Sequence, residues 1–247
     1  MSKTLAIIGA GTSINEIPRD YRFTVDTMAL NAGTIIPQFY DMVTEQWVKS
    51  WTYSMFIDSE FGKNYYFPES YAFKQSLKNT DGITYLLQGN FTIPEADNIR
   101  WVKSKVAGGS VLCPALLEAP KLGYDRLVLF GCDYCRRGDH RHWWETDDNI
   151  LHHPKNNTLV PAKSDRYDHK QNGRVIIYNR RKPEDWQLLE PLTTSNGETV
   201  YADNSYLRQM AHSNEILDKL RGDGMEIFKW GEWGLLDIPS IGLDKLE

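Results

Sequence analysis

Candidate catalytic groups follow one apolar stretch of the chain. Asp133 comes shortly after the run Leu127–Phe130, and His140 and His142 come soon after it. A carboxylate at the end of a buried strand is costly unless it caps, binds or catalyses. Histidine is the usual general base near neutral pH. The pattern therefore predicts Asp133, His140 and His142 as catalytic residues.

The histidines around these positions allow three interpretations. Four of the six His lie between residues 140 and 153. They could bind a divalent metal, with Glu145, Asp147 and Asp148 adding carboxylate ligands for Mg²⁺ or Mn²⁺. They could instead supply a base or a phosphate contact, or belong to a solvated polar loop. The sequence leaves these interpretations open, and we assign no metal ligand.

Arginine and tryptophan are interleaved in the same segment. Arg136, Arg137 and Arg141 precede Trp143. Guanidinium groups bind phosphates, and indoles stack on a base or a sugar ring. These four residues are the predicted contacts for an acceptor or a phosphate. An ordinary surface with packed indoles is the alternative.

A glycine turn follows the first apolar run, Leu5–Ile8, and reads Gly-Ala-Gly-Thr-Ser. Glycines let the backbone approach a phosphate, and N–H groups at a helix start favour an anion. Ile14 stands where a dinucleotide fingerprint has its third glycine, which favours a mononucleotide. A tight turn without ligand is the alternative. The predicted nucleotide contacts in this turn are Gly9, Gly11, Thr12 and Ser13.

Two further polar positions are predicted at the same edge of the sheet. Asn31 ends a predicted strand over 24–31, where it could bind a base or ribose or satisfy a local turn. Ser110 follows Gly108 and Gly109 before a predicted helix, where it could bind a phosphate or cap the helix. Asn31, Gly109 and Ser110 therefore join the predicted nucleotide contacts.

The elements that must position these residues predict an α/β fold. Short apolar runs are typical of buried parallel strands, and they alternate with helical patterns. The predicted strands are 5–8, 24–31, 83–87, 126–130, 174–178 and 225–228, and the predicted helices are 111–122 and 205–221. The residues at 41–58 fit either a strand or a helix. We expect a Rossmann-like, mostly parallel sheet with helices on both faces and Asp133 at its carboxyl edge.

Length and composition favour one globular domain over residues 1–247, with an insertion or lid at 136–172 over the carboxyl edge. The 41% hydrophobic content argues against disorder, and three Cys cannot all pair. A formal charge of −5 argues against binding nucleic acid through charge alone. No apolar run reaches the ~18 residues of a membrane span. We expect a cytoplasmic protein, and a homo-oligomer is compatible with the sequence.

Two stretches resemble known transferases. Residues 5–14 are similar to the first strand and Gly-x-Gly-Pro-Ser-Leu turn of sialyltransferase-like transferases, with Thr12 in place of the Pro. Residues 108–133, from Gly-Gly-Ser-Val to Gly-Cys-Asp, resemble the 6-hydroxymethylpterin diphosphokinase-like (MptE-like) family. A weaker likeness covers 198–203. The two groups resemble each other and include the motility accessory factor proteins, which are associated with transfer of nonulosonic sugars.

The resemblance implies a Rossmann-like transferase with a cytidine nucleotide in its crevice. In the sialyltransferase-like members the glycine turn, the Asn after strand two and the Ser before the long helix surround that nucleotide. Those enzymes need no metal and use a His as base. The matching positions here are Gly9, Gly11, Ser13, Asn31 and Ser110, and the base remains open among His140, His142, His152, His153, His169 and His212.

Three functions fit these observations. The first is a glycosyltransferase that moves a sugar from a nucleotide-sugar donor to a hydroxyl of a glycan, a small molecule or a modified nucleic-acid base, with no required cofactor. The second is a pterin-type pyrophosphokinase that holds Mg²⁺–ATP with Asp133 and with Asp139, Asp147 or the His cluster. The third is a non-catalytic nucleotide or nucleic-acid binding protein. The first is our leading hypothesis.

Overall fold

The computed structural model describes residues 2–41, 46–57, 69–88, 91, 93, 96–103, 110–135, 143, 151–153, 158–160, 191–194, 197–202, 204–232 and 234–246. The strands are β1 (Thr4–Ile8), β2 (Asp26–Leu30), β3 (Tyr40–Asp41), β4 (Gln46–Trp47), β5 (Tyr53–Phe56), β6 (Ile83–Leu87), β7 (Ile99–Val102), β8 (Arg126–Phe130), β9 (Leu151–His153), β10 (Thr158–Val160), β11 (Pro191–Thr193), β12 (Thr199–Tyr201), β13 (Glu226–Trp230) and β14 (Ser240–Ile241). The helices are α1 (Glu69–Lys78), α2 (Leu112–Glu118) and α3 (Asn204–Gly222), with 3-10 turns at Thr12–Glu16, Asn31–Ile35, Pro120–Leu122 and Leu243–Lys245.

Eight strands form one sheet in the order β14-β13-β8-β1-β2-β5-β6-β7, and the pairings between them are parallel. The strands that follow β1 in the chain first extend the sheet on one side, as far as β7. The chain then crosses to the other side of β1 to form β8. Such a reversal of direction leaves a crevice at the carboxyl ends of the two central strands.

The central strands are covered on both faces because their side chains alternate between two cores. Ile8 of β1 lies in one core with Phe73 of α1. Ile7 lies in the other core with Leu116 of α2 and Leu217 of α3. Burial on both faces explains why these strands are continuous apolar runs. The predicted Rossmann-like α/β fold, with helices on both faces, is confirmed.

Several element boundaries agree with the sequence predictions. β6 and β8 coincide with two predicted strands, and α3 covers the predicted helix 205–221. The other predicted helix is shorter, since α2 ends at Glu118 and a 3-10 turn continues to Gly123. Gly123 adopts a φ of 83°, the left-handed conformation of a glycine helix cap. The undecided segment 41–58 contains β4 and β5 in the part that is described.

Most of the predicted insertion 136–172, and the predicted strand 174–178, lie outside the described residues. The described part of the insertion comprises Trp143 and the antiparallel pair β9 and β10. The extent of the single domain therefore stays a prediction. Among the described helices, none is both long enough and apolar enough to cross a membrane.

Candidate functional site

A cleft lies at the carboxyl edge of the sheet, at the reversal between β1 and β8. Its walls come from the segments after β1, β2 and β8, from the start of α2 and from α3. The lining residues are Gly9–Gly11, Leu30, Asn31, Ser110–Leu112, Gly131–Cys135 and Tyr206. The cleft thus brings together five of the predicted site residues, Gly9, Gly11, Asn31, Ser110 and Asp133. Its volume is about 140 Å³, below the roughly 300–1,000 Å³ of pockets that enclose a whole ligand.

The loops after β1 and β8 are in direct contact. The N–H of Gly9 donates to the carbonyl of Phe130, and the N–H of Gly11 donates to the carbonyl of Gly131, each at 2.7 Å. A Cβ on Gly9 would lie 2.3 Å from the Gly131 oxygen, and a Cβ on Gly11 would lie 2.4 Å from Oδ2 of Asp133. The neighbouring loop therefore requires both glycines. The sequence attributed a close approach to a phosphate, and that contact stays a prediction.

Asp133 is held by the glycine turn itself. Its carboxylate accepts the Ser13 N–H at 2.9 Å, the Ser13 hydroxyl at 2.6 Å and the Thr12 hydroxyl at 3.4 Å. Asp133 is 5% exposed, and these hydrogen bonds compensate its loss of hydration. Thr12 and Ser13 are buried beside the cleft. The Ser13 donors that were expected to be free for a phosphate are therefore engaged by an anion of the protein.

Asn31 lines the cleft and has an unsatisfied amide oxygen. Its Oδ1 is buried and has no hydrogen-bond partner among the described residues. Its backbone carbonyl accepts the Thr34 hydroxyl at 2.8 Å. A buried acceptor without a partner costs about 1–3 kcal/mol. A ligand N–H or O–H that reached Oδ1 would recover part of that free energy.

Ser110 is held by groups from two other elements. Its Oγ accepts the Leu112 N–H at 3.3 Å and shares a hydrogen bond with the Tyr134 hydroxyl at 2.6 Å. The Tyr134 hydroxyl shares a second hydrogen bond, at 2.7 Å, with Oγ of Ser213 on α3. Burial raises the pKa of Tyr134, against the opposing effect of the two serine hydrogen bonds. The phenol therefore stays protonated at neutral pH.

Backbone strain marks the same cleft. In the described part of the chain, the non-glycine residues with positive φ are Asn31, at 48°, and Tyr134, at 53°. This conformation is uncommon, above all for a bulky residue, and costs on the order of 1–3 kcal/mol. Such strain clusters at functional sites. Both residues line the cleft, so the strain and the cavity point independently to one place.

Lys229 is a buried cation near Asp133 that the sequence analysis missed. It is 6% exposed, and its Nζ donates to the carbonyl of Leu236 at 3.1 Å. Burial lowers its pKa, while the negative charges of Glu232, Asp237 and Asp133 oppose that shift. The sequence could have indicated its burial, because Lys229 lies two residues after Ile227 on β13 and alternate residues of a strand point to the same face.

Trp143 is buried behind the glycine turn. Its N–H donates to the carbonyl of Ala10 at 3.1 Å, and its indole N–H donates to the carbonyl of Ala32 at 3.4 Å. Its own carbonyl accepts the Asn15 side chain at 2.9 Å. The residue is 2% exposed. The indole therefore packs the loops after β1 and β2 together, and its role as an acceptor contact stays a prediction.

The remaining predicted site residues lie outside the described residues. These are Gly109, Arg136, Arg137, His140, Arg141 and His142. Their roles stay predictions, as do those of Asp139 and Asp147 as Mg²⁺ ligands. Within the ranges that the structure describes, no group of three or more His, Cys, Asp or Glu side chains could hold a metal ion.

Comparison with known proteins bears on the fold. The chain matches no protein-family model and no curated protein. Among solved structures it is similar to the MAf glycosyltransferase from Magnetospirillum magneticum AMB-1, with a TM-score of 0.54 and 10% sequence identity. The two proteins share a fold. The match covers 100% of this chain and 35% of that one, so this chain spans about a third of its length. The resemblance to motility accessory factor proteins is thus supported at the level of the fold.

Proposed function

We propose that the protein is a glycosyltransferase and that the cleft between β1 and β8 binds the nucleoside part of a nucleotide-sugar donor. The observation that carries the proposal is that Asn31, which lines a cleft at the reversal of strand order, has a buried Oδ1 without a partner among the described residues. Nucleotides bind at such reversals in doubly wound folds. The fold shared with the MAf glycosyltransferase adds the class of reaction.

The charge of the cleft favours a nucleoside over a phosphate beside the glycine turn. Among the described lining residues, Asp133 is the charged one. A carboxylate repels a phosphate, whereas it accepts hydrogen bonds from ribose hydroxyls. We therefore assign Asp133 to ribose binding instead of catalysis. The donor phosphates would lie on Arg136, Arg137 or Arg141, which follow this wall of the cleft in sequence.

The proposed reaction is a displacement at the anomeric carbon of the donor sugar. The acceptor oxygen forms a bond to that carbon while the bond from carbon to the donor phosphate oxygen breaks. His140 or His142 would take the acceptor proton as general base. The nucleotide leaves with the bonding electrons on its phosphate oxygen. The acceptor remains a hydroxyl of a glycan, a small molecule or a modified nucleic-acid base.

A thermal-shift screen of the protein against CMP, UMP, GMP, AMP and ATP, with Mg²⁺ and with a chelator, tests the proposal. A nucleotide at 100 times its Kd stabilises the protein by about 2.7 kcal/mol, and in a chain of this size each kcal/mol raises Tm by about 2–4 °C. We expect a shift from a nucleoside monophosphate that survives chelation. Failure of every nucleotide to raise Tm would overturn the proposal. In a separate product assay, release of AMP from ATP only with Mg²⁺ would favour a pyrophosphokinase.

Two variants separate the role of Asn31 in binding from its effect on folding. Asn31→Gly removes the amide and also relieves the positive φ, so we expect equal or higher stability with about tenfold weaker binding of the same nucleotide. Asn98→Ala is the control, because Asn98 bonds to the carbonyl of Asn79 at 3.0 Å and does not line the cleft. Equal losses of affinity in the two variants would contradict the assignment of the cleft.

A further inference from the structure

We infer that Tyr134 is a positioning residue that makes the Ser110 hydroxyl a hydrogen-bond donor toward the cleft, with Ser213 supporting it from α3. The inference rests on the proposed function, because it concerns how the same cleft holds its nucleotide. The group recognised by Ser110 would be an oxygen acceptor of that nucleotide, on its phosphate or on its nucleoside.

The geometry behind this inference is a continuous chain of hydrogen-bonded hydroxyl and thiol groups, buried at Cys113 and Ser213 and part-buried at Tyr134. Sγ of Cys113 lies 3.5 Å from Oγ of Ser213, which lies 2.7 Å from the Tyr134 hydroxyl. That hydroxyl lies 2.6 Å from Oγ of Ser110, a residue of the cleft wall. This series of hydrogen bonds therefore extends from the interior between α2 and α3 to the cleft.

The direction of the hydrogen bonds in this series decides whether Ser110 presents a donor or an acceptor to a ligand. A serine hydroxyl donates one hydrogen bond and accepts two. Oγ of Ser110 already accepts the Leu112 N–H. When the Tyr134 hydroxyl also donates to it, both acceptor sites are filled, and the Ser110 proton is left for the cleft. When the hydrogen bonds point the other way, Ser110 donates to Tyr134 and presents a lone pair to the cleft.

An oxygen acceptor in the cleft selects the first of these two directions. Tyr134 then donates to Ser110 and accepts from Ser213, and the thiol of Cys113 can donate to Ser213 in turn. The left-handed backbone of Tyr134 and its edge-to-face contact with Tyr206, at a ring separation of 6.3 Å, hold the phenol in this position. The phenol thus fixes both the place and the donor character of the Ser110 hydroxyl.

A double-mutant cycle on the full chain tests the inference. The variants are Tyr134→Phe, Ser110→Ala and the two combined, and the readout is calorimetric binding of CMP, UMP, GMP and AMP and of the four parent nucleosides. We expect each single change to weaken binding about five- to tenfold, and the double variant to bind no more weakly than Ser110→Ala. A loss seen with monophosphates alone assigns the acceptor to the phosphate, and a loss seen with nucleosides as well assigns it to the nucleoside.

Tyr124→Phe is the matched control, because the Tyr124 hydroxyl donates to Asp26 at 2.6 Å outside the cleft. It should lower Tm without changing nucleotide affinity. Ser213→Ala keeps the phenol and removes its support, and we expect a smaller loss of affinity that also disappears in the Ser110→Ala background. This variant gives the answer if Tyr134→Phe fails to fold.

The outcomes separate the two proposals. Wild-type affinity in Tyr134→Phe, or losses that multiply fully in the double variant, would overturn the positioning role and leave the proposed function standing. Absence of nucleotide binding by the unaltered protein would overturn both.

Discussion

The two edges of the sheet each carry an aspartate and a tyrosine with a hydrogen-bonded hydroxyl, and their surroundings differ. At the amino edge, Asp26 accepts the Tyr124 hydroxyl at 2.6 Å and the Thr52 hydroxyl at 3.1 Å, with the ammonium of Lys3 at 3.8 Å. The Asp26 side chain is 39% exposed. Donors, acceptor and opposite charge match there, so this network is explained by stability alone.

The carboxyl edge has a different balance. Asp133 is 5% exposed and is held by the turn after β1. Oδ1 of Asn31 lacks a partner among the described residues, and Asn31 and Tyr134 are strained. The difference teaches that a buried tyrosine or aspartate does not by itself identify a site in this fold. The coincidence of an unpartnered acceptor, backbone strain and a cavity at one place does so.

Replacing Gly9 should give the largest effect. Gly9→Ala places a Cβ 2.3 Å from the Gly131 carbonyl oxygen, which is backbone and cannot rotate away. We expect a loss of about 3 kcal/mol of unfolding free energy, measured by urea titration, because overpacking a rigid contact costs this much. Gly222→Ala, at the end of α3, is the control, since a Cβ there meets no atom within 4 Å.

The control variant should be neutral or stabilising by up to about 1 kcal/mol, since alanine favours a helix over glycine. Unchanged stability in Gly9→Ala would mean that the loops after β1 and β8 separate readily. The walls of the cleft would then be deformable, and the backbone strain that distinguishes the carboxyl edge from the amino edge could relax.

The two aspartates should respond unequally to loss of charge. Asp133→Asn turns one acceptor oxygen into an NH₂ group that faces the donors of Ser13 and Thr12, so we expect a loss of about 2 kcal/mol. It also removes a negative charge near the buried Lys229. Asp26→Asn should cost less than about 1 kcal/mol, because a half-exposed carboxylate near a surface lysine contributes little.

Thermal unfolding of the two variants measures these losses of stability, since 2 kcal/mol corresponds to about 4–8 °C in Tm for a chain of this size. A larger fall in Tm for Asp26→Asn than for Asp133→Asn would reverse the comparison. The carboxylate at the amino edge would then contribute more to stability. The proposed contact with ribose would be the remaining reason for an aspartate at position 133.

Much of the fold could be predicted from the sequence because its parallel strands are buried on both faces. Ile83–Leu87 and Arg126–Phe130 were predicted at their observed bounds from apolar runs alone. The meeting of Gly9, Asn31, Ser110 and Asp133 also followed from one rule, that carboxyl ends of parallel strands share an edge. Local pattern and topology therefore suffice to find the cleft.

What could not be predicted depends on contacts between distant loops. Trp143 is buried and donates to the carbonyls of Ala10 and Ala32. The pattern of residues in its own segment does not predict these contacts. The left-handed backbone of Tyr134 is likewise set by tertiary structure. The glycine turn was recognised but its contact with Gly131 was not, because a close approach by backbone leaves the same sequence signal as a close approach by phosphate.

Alkaline pH should give the smallest effect and compares the two tyrosines directly. Burial raises the pKa of both Tyr134 and Tyr124, and at Tyr124 the hydrogen bond to Asp26 adds to the shift. Above about pH 10 the unfolded chain loses the phenol proton while the folded chain keeps it, so stability falls as pH rises. For each tyrosine we expect a loss of about 0.7 kcal/mol between pH 9.5 and 10.5.

Urea unfolding at these two pH values should show that loss reduced in Tyr134→Phe and in Tyr124→Phe by similar amounts, because phenylalanine has no proton to release. A reduction in Tyr124→Phe alone would mean that the Tyr134 phenol ionises within the folded protein. Water would then reach the hydroxyl chain from the cleft, and the two edges would differ in solvent access instead of in the completeness of their hydrogen bonds.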